Sequence, residues 1–588
     1  MTLDQADLLR TATRLYQGGD IAKAEQLFGE ALRQDQDCFP ALKFLGKIML
    51  ERRNYQGAAD ILARAQILNP ASPTVRMDMG LALEELKRPA EALASFDSAI
   101  ALMPDLALAH YNRGGTLTSL QRPDEALDSY ERAIALQPDF VEAHANRASV
   151  LESLGRYAEA LGSYDKAIAL TPGFDLFYNR GNCLWGLKRP AESLASYDAA
   201  IALQPGFAEA HANRAVVLQY LKRLDESLLA FDRAVALKPG LAAAWYNRGN
   251  SLKELKRLDD AIQSFDRAVV LKPDHASAIV NRSYCFLLKG ELARGLPDYE
   301  CRKSNRANGL DPARQLTPAA RDAISGKTIL VRYEIGLGDT IQYSRYIGIL
   351  VARGARVLLS VQGPLRALFK TLAIPHILVD EKDPGLDYDY WIYVMSLHHL
   401  YHGEPENWPM PYLGAEPERC QFWKAQLGAG GFKIGVCWQT AGRREIFNKA
   451  FAPAEFSGIS QLPSVRLIGV QKGDFRSQLE QGGLGIEYLG PQFDAGDAAF
   501  LDTAAVLKNC DLVITCDTAT AHLAGALACP VWVALKYVPD CRWLLDRSDS
   551  PLYPTMRLFR QTAADDWAGA FGAMEKALNA LLHEKPLK

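Results

Sequence analysis

The sequence has no hydrophobic run long enough to cross a membrane and no closely paired cysteines. A spanning helix needs about 18 or more apolar residues in a row, and no such run occurs. The N-terminal segment MTLDQADLLRTATRLYQGGD also lacks the basic start and apolar centre of a signal peptide. We therefore expect a protein that is neither exported through a signal peptide nor inserted into a membrane.

The cysteine pattern and the charge exclude two further classes. The ten cysteines include no CxxC pair, which indicates reduced, buried thiols in a reducing compartment. A net charge of -3 over 588 residues provides no electrostatic surface for nucleic acid or anionic lipid. These features predict a cytoplasmic protein with no nucleic-acid partner.

The first half of the chain is an internal repeat. A chain of this length exceeds one hydrophobic core, so several domains are expected. Each repeat unit also carries small residues and an aromatic, such as Ala126, Tyr130 and Ala133. A period of 34 residues, shortened once to 33, is typical of a helical-hairpin solenoid, and it is marked by Pro70, Pro104, Pro138, Pro172, Pro205, Pro239 and Pro273.

These residues resemble the tetratricopeptide repeat over about residues 5 to 302, in roughly nine units. We expect residues 1–302 to form an α-solenoid whose concave face is lined by the first helix of each hairpin. Six successive units carry an asparagine at one position of that helix, a set that we name the asparagine ladder: Asn112, Asn146, Asn179, Asn213, Asn247 and Asn281.

The ladder predicts an acceptor-binding groove. A carboxamide both donates and accepts, so it can pair with the backbone of an extended peptide whatever its sequence. Similar ladders line the groove of the repeat-bearing protein O-GlcNAc transferases, and the resemblance implies a polypeptide ligand. Two alternatives stay open: duplication copied a neutral residue, or the asparagines bond within the repeats. An arginine row follows one place on, and we attribute it mainly to duplication and a solvated face: Arg113, Arg147, Arg180, Arg214, Arg248 and Arg282.

The second half changes period. Residues 303–326 are polar and irregular, which predicts a linker. KTILVRY and ARVLLSV in residues 327–431, and FKIGVCWQT, VRLIGVQ, GIEYLG, DLVITCD and PVWVAL in residues 432–588, are buried-strand patterns that alternate with helices. This alternation predicts two α/β lobes with parallel sheets. Ligands of such sheets bind in the cleft at the carboxyl ends of the strands.

The segment VITCDTATAHLAGA, residues 513–526, has a polar centre. Asp517 stands where a strand ends and a helix begins near Ala519, and the free N–H groups of that helix start suit a phosphate or diphosphate. We expect Asp517 to cap the helix or accept a sugar hydroxyl, and His522 to donate to a leaving-group oxygen or a hydroxyl. A capped helix with a satisfied histidine remains the alternative.

DTATAHLAGALACPVW resembles the nucleotide-sugar motif of the heptosyltransferase-like glycosyltransferases, which are of the two-lobed GT-B form and include glycosyltransferase family 9. EIGLGDTIQ and WQTAGRREIFNKAF resemble two other segments of that family, and PDCRWLLDRSDSPLYPTMRLFRQ looks like the ending of bacterial repeat-linked members. The resemblance covers about residues 327–575. It implies two Rossmann-like lobes, with the short first lobe on the acceptor side and the second binding the nucleotide sugar.

The resemblance also implies roles for individual residues. Asp339 is the expected base, and His522 the second catalytic residue. No metal and no cofactor beyond the nucleotide sugar are implied. The DxD pair Asp387 and Asp389, and the cluster His398, His399 and His402, are disfavoured as metal ligands. The nucleotide-sugar contacts implied are Gly336, Gly338, Thr440, Lys449, Lys472, Asp517, Thr518, Ala519 and His522.

The sequence therefore predicts an inverting glycosyltransferase that moves a sugar to serine or threonine of a protein recruited by the repeats. Repeat-fused transferases resembling this chain glycosylate flagellin, so flagellin is the first acceptor that the analogy suggests. A non-catalytic scaffold with a degenerate second half is the alternative. Transfer to a lipid or polysaccharide is less favoured because nothing basic and amphipathic marks a membrane dock. The donor sugar and its nucleotide stay open.

Overall fold

The structure, a computed structural model, describes residues 3–303, 310–334, 336–380, 383, 385–403, 410–439, 449–472, 475, 483–496 and 499–584. The chain divides into two compact units, Met1–Ala244 and Trp245–Lys588. The first contains helical hairpins, and the second contains further hairpins followed by two parallel sheets. None of the helices in the described ranges combines the length and the apolar composition that crossing a bilayer requires.

The helices of the first unit pair in sequence order. Each contacts the next, and prolines or polar residues between them end one helix before the next begins. The bounds are α1 Leu3–Gln17, α2 Ile21–Gln34, α3 Phe39–Glu51, α4 Tyr55–Leu68, α5 Pro73–Glu85, α6 Pro89–Leu102, α7 Ala107–Ser119, α8 Pro123–Leu136, α9 Val141–Ser153, α10 Tyr157–Leu170, α11 Phe174–Gly186, α12 Pro190–Leu203, α13 Ala208–Tyr220 and α14 Leu224–Leu237.

A close helix–helix approach explains the small residue of each repeat. A methyl carbon added at Gly181 in α11 would lie 2.6 Å from Cε1 of Tyr197 in α12, closer than real contacts allow. Gly114 meets Tyr130 in the same way, at 2.7 Å. The aromatic ring of the second helix therefore packs directly against the glycine of the first, and this contact stabilises the hairpin.

The second unit begins within a helix. α15 (Ala242–Glu254) is followed by α16 (Leu258–Leu271), α17 (Ala276–Leu288) and α18 (Leu292–Tyr299). The described residues 310–326, which lie within the predicted linker, contain a 3₁₀ turn at Pro312–Arg314 and pack against the first sheet. Leu316 and Ile324 are buried, and the Leu316 N–H donates to the Trp391 carbonyl at 2.9 Å.

The first sheet has four parallel strands in the order β3-β2-β1-β4. The predicted helix after β1 is interrupted by a 3₁₀ turn at Ser344–Tyr346, where the Ser344 hydroxyl donates to the Ile341 carbonyl at 2.8 Å. The elements are β1 Thr328–Arg332, α19 Leu337–Tyr343, α20 Ile347–Ala352, β2 Arg356–Leu359, α21 Arg366–Phe369, β3 Ile377–Leu378, β4 Tyr390–Tyr393, α22 Ser396–Tyr401 and α23 Pro417–Leu427.

The second sheet has six parallel strands in the order β10-β9-β8-β5-β6-β7. Its central strand β8 is buried along its whole length, as continuous apolar runs in parallel sheets require. The elements are β5 Phe432–Cys437, α24 Ser457–Ser460, β6 Val465–Gly469, β7 Glu487–Tyr488, α25 Leu501–Lys508, β8 Leu512–Cys516, α26 Ala519–Ala526, β9 Val531–Leu535, β10 Met556–Arg560 and α27 Trp567–Glu584.

Both sheets reverse their strand order beside a central strand. The reversal lies between β1 and β4 in the first sheet and between β5 and β8 in the second. Loops diverge there, and a crevice forms at the carboxyl ends. The α/β prediction for the second half is thus confirmed at the level of parallel sheets with helices.

The glycine–aromatic contact generates a stability prediction. We expect Gly181→Ala to lower the unfolding free energy of the hairpins by about 1–3 kcal/mol, because its methyl group overlaps the Tyr197 ring. Gly206→Ala is the matched control, since nothing lies within 4 Å of a methyl group there. Urea unfolding followed by circular dichroism measures both variants. Equal midpoints for the two would contradict the packing account.

Candidate functional site

The turn after β1 presents Asp339. Gly336 is the N-cap of α19, and Asp339 lies in the first turn of that helix. Oδ1 of Asp339 accepts a hydrogen bond from Nη2 of Arg542 at 2.8 Å. A methyl carbon at Gly336 would lie 2.6 Å from Oδ2 of Asp339. The missing side chain therefore leaves room for the second carboxylate oxygen, which accepts no hydrogen bond from a described residue.

The turn after β8 presents Asp517 to a lysine. Asp517 Oδ2 accepts from Lys449 Nζ at 2.5 Å, and the same ammonium reaches Asp540 Oδ2 at 3.4 Å. The N-cap of α26 is Thr518, which makes no side-chain cap bond. The expected capping role of Asp517 is therefore not seen, because its carboxylate pairs with Lys449 instead.

The first turn of α26 has backbone N–H groups that are not hydrogen-bonded within the described residues. The N–H groups of Ala519 and Thr520 have no acceptor among the residues that the structure describes. Gly338 lies against this helix start, since a methyl carbon there would be 2.9 Å from Cδ2 of His522 and 3.3 Å from Cα of Ala519. The glycine turn of the first lobe and the α26 start of the second lobe are therefore in contact.

Arg542, which the sequence analysis did not single out, joins these groups. It lies in a 3₁₀ turn, Cys541–Trp543. Besides Asp339 it donates to Asp540 Oδ1 at 2.9 Å, to Gln342 Oε1 at 2.6 Å and to His522 Nε2 at 3.2 Å. An arginine in an irregular loop belongs to no periodic pattern, so the sequence does not single it out. The only signal near Arg542 is the segment PDCRWLL, which resembles the ending of repeat-linked glycosyltransferases.

Burial and charge act together on this cluster. Burial opposes ionisation of Asp540, but Arg542 and Lys449 outweigh it and hold the pKa of that carboxyl far below its usual range. Burial likewise opposes the charge on Arg542, while Asp540 and Asp339 raise its pKa well above normal. The pKa of Lys449 is raised, because Asp517 and Asp540 outweigh its desolvation. All three groups therefore stay charged at neutral pH.

His522 is buried and uncharged. Burial first, and then Arg542 and Arg345, lower its pKa well below the usual value. Nε2 accepts from Arg542, so the ring proton is assigned to Nδ1, which donates to the Tyr553 hydroxyl at 3.1 Å. The ring also stacks on Trp543 at 5.3 Å. In this arrangement His522 positions Arg542.

The structure thus brings together six of the predicted residues: Gly336, Gly338, Asp339, Lys449, Asp517 and His522, with Thr518 and Ala519 beside them. Lys472 follows β6, two strands from β8, and is exposed. Its side chain forms no hydrogen bond with a described residue. Thr440 lies outside the described residues.

Alternate members of the asparagine ladder bind the preceding hairpin. Their Nδ2 atoms donate to a tyrosine hydroxyl 35 positions earlier, at 3.1 to 3.2 Å: Asn146 to Tyr111, Asn213 to Tyr178 and Asn281 to Tyr246. The side chains of Asn112, Asn179 and Asn247 form no hydrogen bond within the described part of the chain. The ladder therefore consists of three rungs that join repeats and three that do not.

The arginine row is structural. Arg147 donates to Glu131 of the preceding hairpin at 2.7 Å and to Ser163 of its own at 2.6 Å. Arg180 repeats the pattern with Asp165 and Ser196. These arginines bridge successive hairpins, so they are not simply a solvated face.

The two candidate metal motifs are accounted for by other contacts. Asp389 accepts from the Thr328 N–H at 2.8 Å and from Lys327 Nζ at 3.0 Å, at the amino end of β4 and away from the cleft. His398 packs on the rings of Tyr343 and Tyr346. No group of three metal-ligating side chains occurs among the described residues.

Comparison with known proteins identifies the repeats. Residues 9–74, 77–139, 116–173 and 178–242 match one tetratricopeptide-repeat family model, and residues 242–275 match a second. The N-terminal part of the chain, through about residue 275, therefore consists of tetratricopeptide repeats, and the α-solenoid prediction is confirmed. Such solenoids bind protein partners along an extended surface, which supports the predicted protein-interaction role.

Individual relatives match parts of the chain. Protein FlbA of Caulobacter vibrioides is 26% identical over 326 residues, which are 50% of this chain and 54% of FlbA. The chain thus spans about half the length of this relative. Among solved structures, YrrB, described as a TPR protein with an unusual peptide-binding site, has 28% sequence identity to this chain. The alignment covers 31% of this chain and 95% of YrrB, with a TM-score of 0.29. MamA is 20% identical, covers 29% and 94%, and has a TM-score of 0.28.

The buried histidine of α22 generates a pH prediction. Burial, aided by His402 and Arg345, lowers the pKa of His398 to about 4. The unfolded chain binds this proton near pH 6.5 and the folded chain only near pH 4, so stability is complete above pH 6.5 and is lost as the pH falls toward 4. We expect this loss to be about 3 kcal/mol.

Urea unfolding between pH 7 and pH 4 tests the assignment. His398→Phe should flatten the profile over that window, whereas His583→Asn, a change at an exposed histidine of α27, should leave it unchanged. A wild-type slope retained in the His398 variant would show that another group is responsible.

Proposed function

We propose that the chain is a glycosyltransferase of the two-lobed GT-B form, which transfers a sugar from a nucleotide-sugar donor to serine or threonine of a protein. Each of the two parallel sheets reverses its strand order next to the loops that carry Asp339 and Asp517. Such a reversal opens a crevice at the carboxyl ends of the strands, which supports a ligand in the cleft between the sheets. The repeats support a protein acceptor. Flagellin is the acceptor proposed by analogy.

The observation that carries the proposal is the contact of Asp339 with Arg542. A carboxylate from the first lobe is held through one oxygen by a cation of the second lobe, and its other oxygen, beside Gly336, accepts no hydrogen bond from a described residue. A base must be oriented and still have a free lone pair. Asp339 meets both conditions.

The proposed reaction follows from these positions. The acceptor hydroxyl gives its proton to Oδ2 of Asp339 as its oxygen attacks the anomeric carbon, and the bond from that carbon to the phosphate oxygen breaks with inversion. The electron pair leaves with the nucleoside diphosphate. Lys449, Arg542 and the free N–H groups of α26 are positioned to stabilise that charge. Because these groups supply positive charge, we propose a metal-independent reaction.

The base generates the first functional prediction. Asp339→Asn keeps the shape and the contact with Arg542 but cannot take a proton, so we expect transfer to fall by about 10²- to 10⁴-fold. Asp387→Asn, an exposed change near β4, is the control and should retain full activity. Intact mass of a co-expressed acceptor and nucleotide release both measure the outcome. Full activity of Asp339→Asn would exclude this residue as the base.

The scaffold alternative is supported by the tetratricopeptide repeats, which match family models between residues 9 and 275 and suffice for binding a protein partner. Isothermal titration with a panel of nucleotide sugars separates the two functions. The enzyme should bind at least one donor, and binding should weaken when Lys449 is changed to methionine. A pure scaffold should bind none.

The ladder generates a paired prediction. Changing Asn112, Asn179 and Asn247 to alanine should weaken capture of an unfolded flagellin fragment roughly 10- to 100-fold, at about 1 kcal/mol per rung, without shifting the melting temperature. Changing Asn146, Asn213 and Asn281 should lower the melting temperature, because those rungs bind tyrosines. Unchanged capture by the first triple variant would remove the ladder from acceptor binding.

A further inference from the structure

A lysine without a direct partner lies beside the cluster. Lys536 follows the last residue of β9, at the carboxyl edge of the second sheet, and is partly buried. Its side chain forms no hydrogen bond and no direct ion pair within the described part of the chain. Burial is the main cause that lowers the pKa of Lys536. No ion pair with a described residue compensates the desolvation of this cation.

The repeats border the same position. Lys256, at the end of α15, places its Nζ 3.7 Å from the ring centre of Tyr537, the residue after Lys536. The N–H of Tyr537 donates to Gln561 Oε1 at 2.8 Å, which fixes the strand end. Helix α17 packs on the turn that carries Arg542. The last repeat helices of the second unit therefore pack against the loops that carry the candidate site, through the end of α15 and through α17.

The charges around Lys536 come from both sides. Lys253 and Glu254 of α15 lie within charge–charge range of it, as do Lys449 and Asp540 of the cluster. The other two lysines are already engaged, Lys449 with Asp517 and Lys253 with the Oδ1 atom of Asn281 at 3.3 Å. Lys536 is thus a cation that forms no direct ion pair with a described residue, and charged groups of both α15 and the cluster lie near it.

We infer that Lys536 and Lys253 together bind the carboxylate of an acidic side chain that lies next to the modified hydroxyl in the acceptor polypeptide. The identity of the ligand as an acceptor rests on the proposed function. Asn247, the last ladder rung whose side chain forms no hydrogen bond with a described residue, lies on α15 together with Lys253, so a chain held at Asn247 and reaching Asp339 would approach these lysines. A charge-assisted pair with a carboxylate would supply the missing anion.

The donor is the other source of an anion, and the geometry favours the acceptor. The groups suited to a diphosphate, which are Lys449, Arg542 and the α26 start, belong to the second lobe. The partner of Lys536 in the proposed subsite, Lys253, belongs to a repeat helix and touches the ladder. An acidic acceptor residue is therefore the occupant we assign.

Fluorescence anisotropy with the full chain and no donor tests the subsite. The probes are three labelled 15-residue peptides that carry one serine flanked by aspartates, by asparagines or by lysines. We expect the aspartate peptide to bind about tenfold more tightly than the asparagine peptide. Lys536→Met should abolish that preference, and Lys536→Glu should favour a peptide with flanking lysines. Lys272→Met, which removes an exposed lysine at the end of α16, should keep the wild-type preference.

Each other outcome has a definite meaning. Equal binding of the aspartate and asparagine peptides by the wild type, or a preference that persists in Lys536→Met, overturns the inference. Loss of uridine diphosphate binding in Lys536→Met with unchanged peptide preference also overturns it, because the lysine would then serve the donor. Loss of the preference in a protein that transfers no sugar supports the subsite and refutes the proposed enzyme, so the two failures are distinguishable.

Discussion

The guanidinium of Arg542 is the group on which the candidate site depends. It bonds to Asp339 of the first lobe and to Asp540 and His522 of the second. A buried arginine is tolerated only when its charge is paired and its donors are used. Arg542 meets this condition through acceptors from both lobes. The same hydrogen bonds that compensate its buried charge therefore also hold the carboxylate of Asp339 against the second sheet.

The cluster contains two cations and three carboxylates among the described residues. Lys449 and Arg542 face Asp339, Asp517 and Asp540, so the cations are oriented by carboxylates before any ligand arrives. The open N–H groups of α26 then add positive potential without a charge that needs pairing. This arrangement differs from a simple basic patch, which would attract polyanions indiscriminately, and it agrees with the small net charge of the chain.

The repeats place one duplicated residue in two different environments. Where tyrosine precedes the asparagine in one hairpin, as at Tyr178, its hydroxyl receives the carboxamide of the next hairpin, as from Asn213. The next pair, Ala212 and Asn213, offers no such hydroxyl, so the following asparagine is left without this bond. The alternation is visible in the sequence, but its consequence is visible only when residues 35 positions apart are seen in contact.

The sequence determined the elements whose signal is local and periodic. The 34-residue period required stacked hairpins, and apolar runs such as Leu512–Cys516 required buried strands, because each pattern has one way to hide its apolar surface. It also indicated Asp517, a polar residue just after a strand, and the family resemblance indicated Asp339. Only the tertiary structure decided that Arg542 joins them, that Asp517 pairs with Lys449 instead of capping its helix, and that Lys536 lacks a direct counter-ion. Those facts depend on which distant loops meet at a sheet edge, and no spacing along the chain encodes such a meeting.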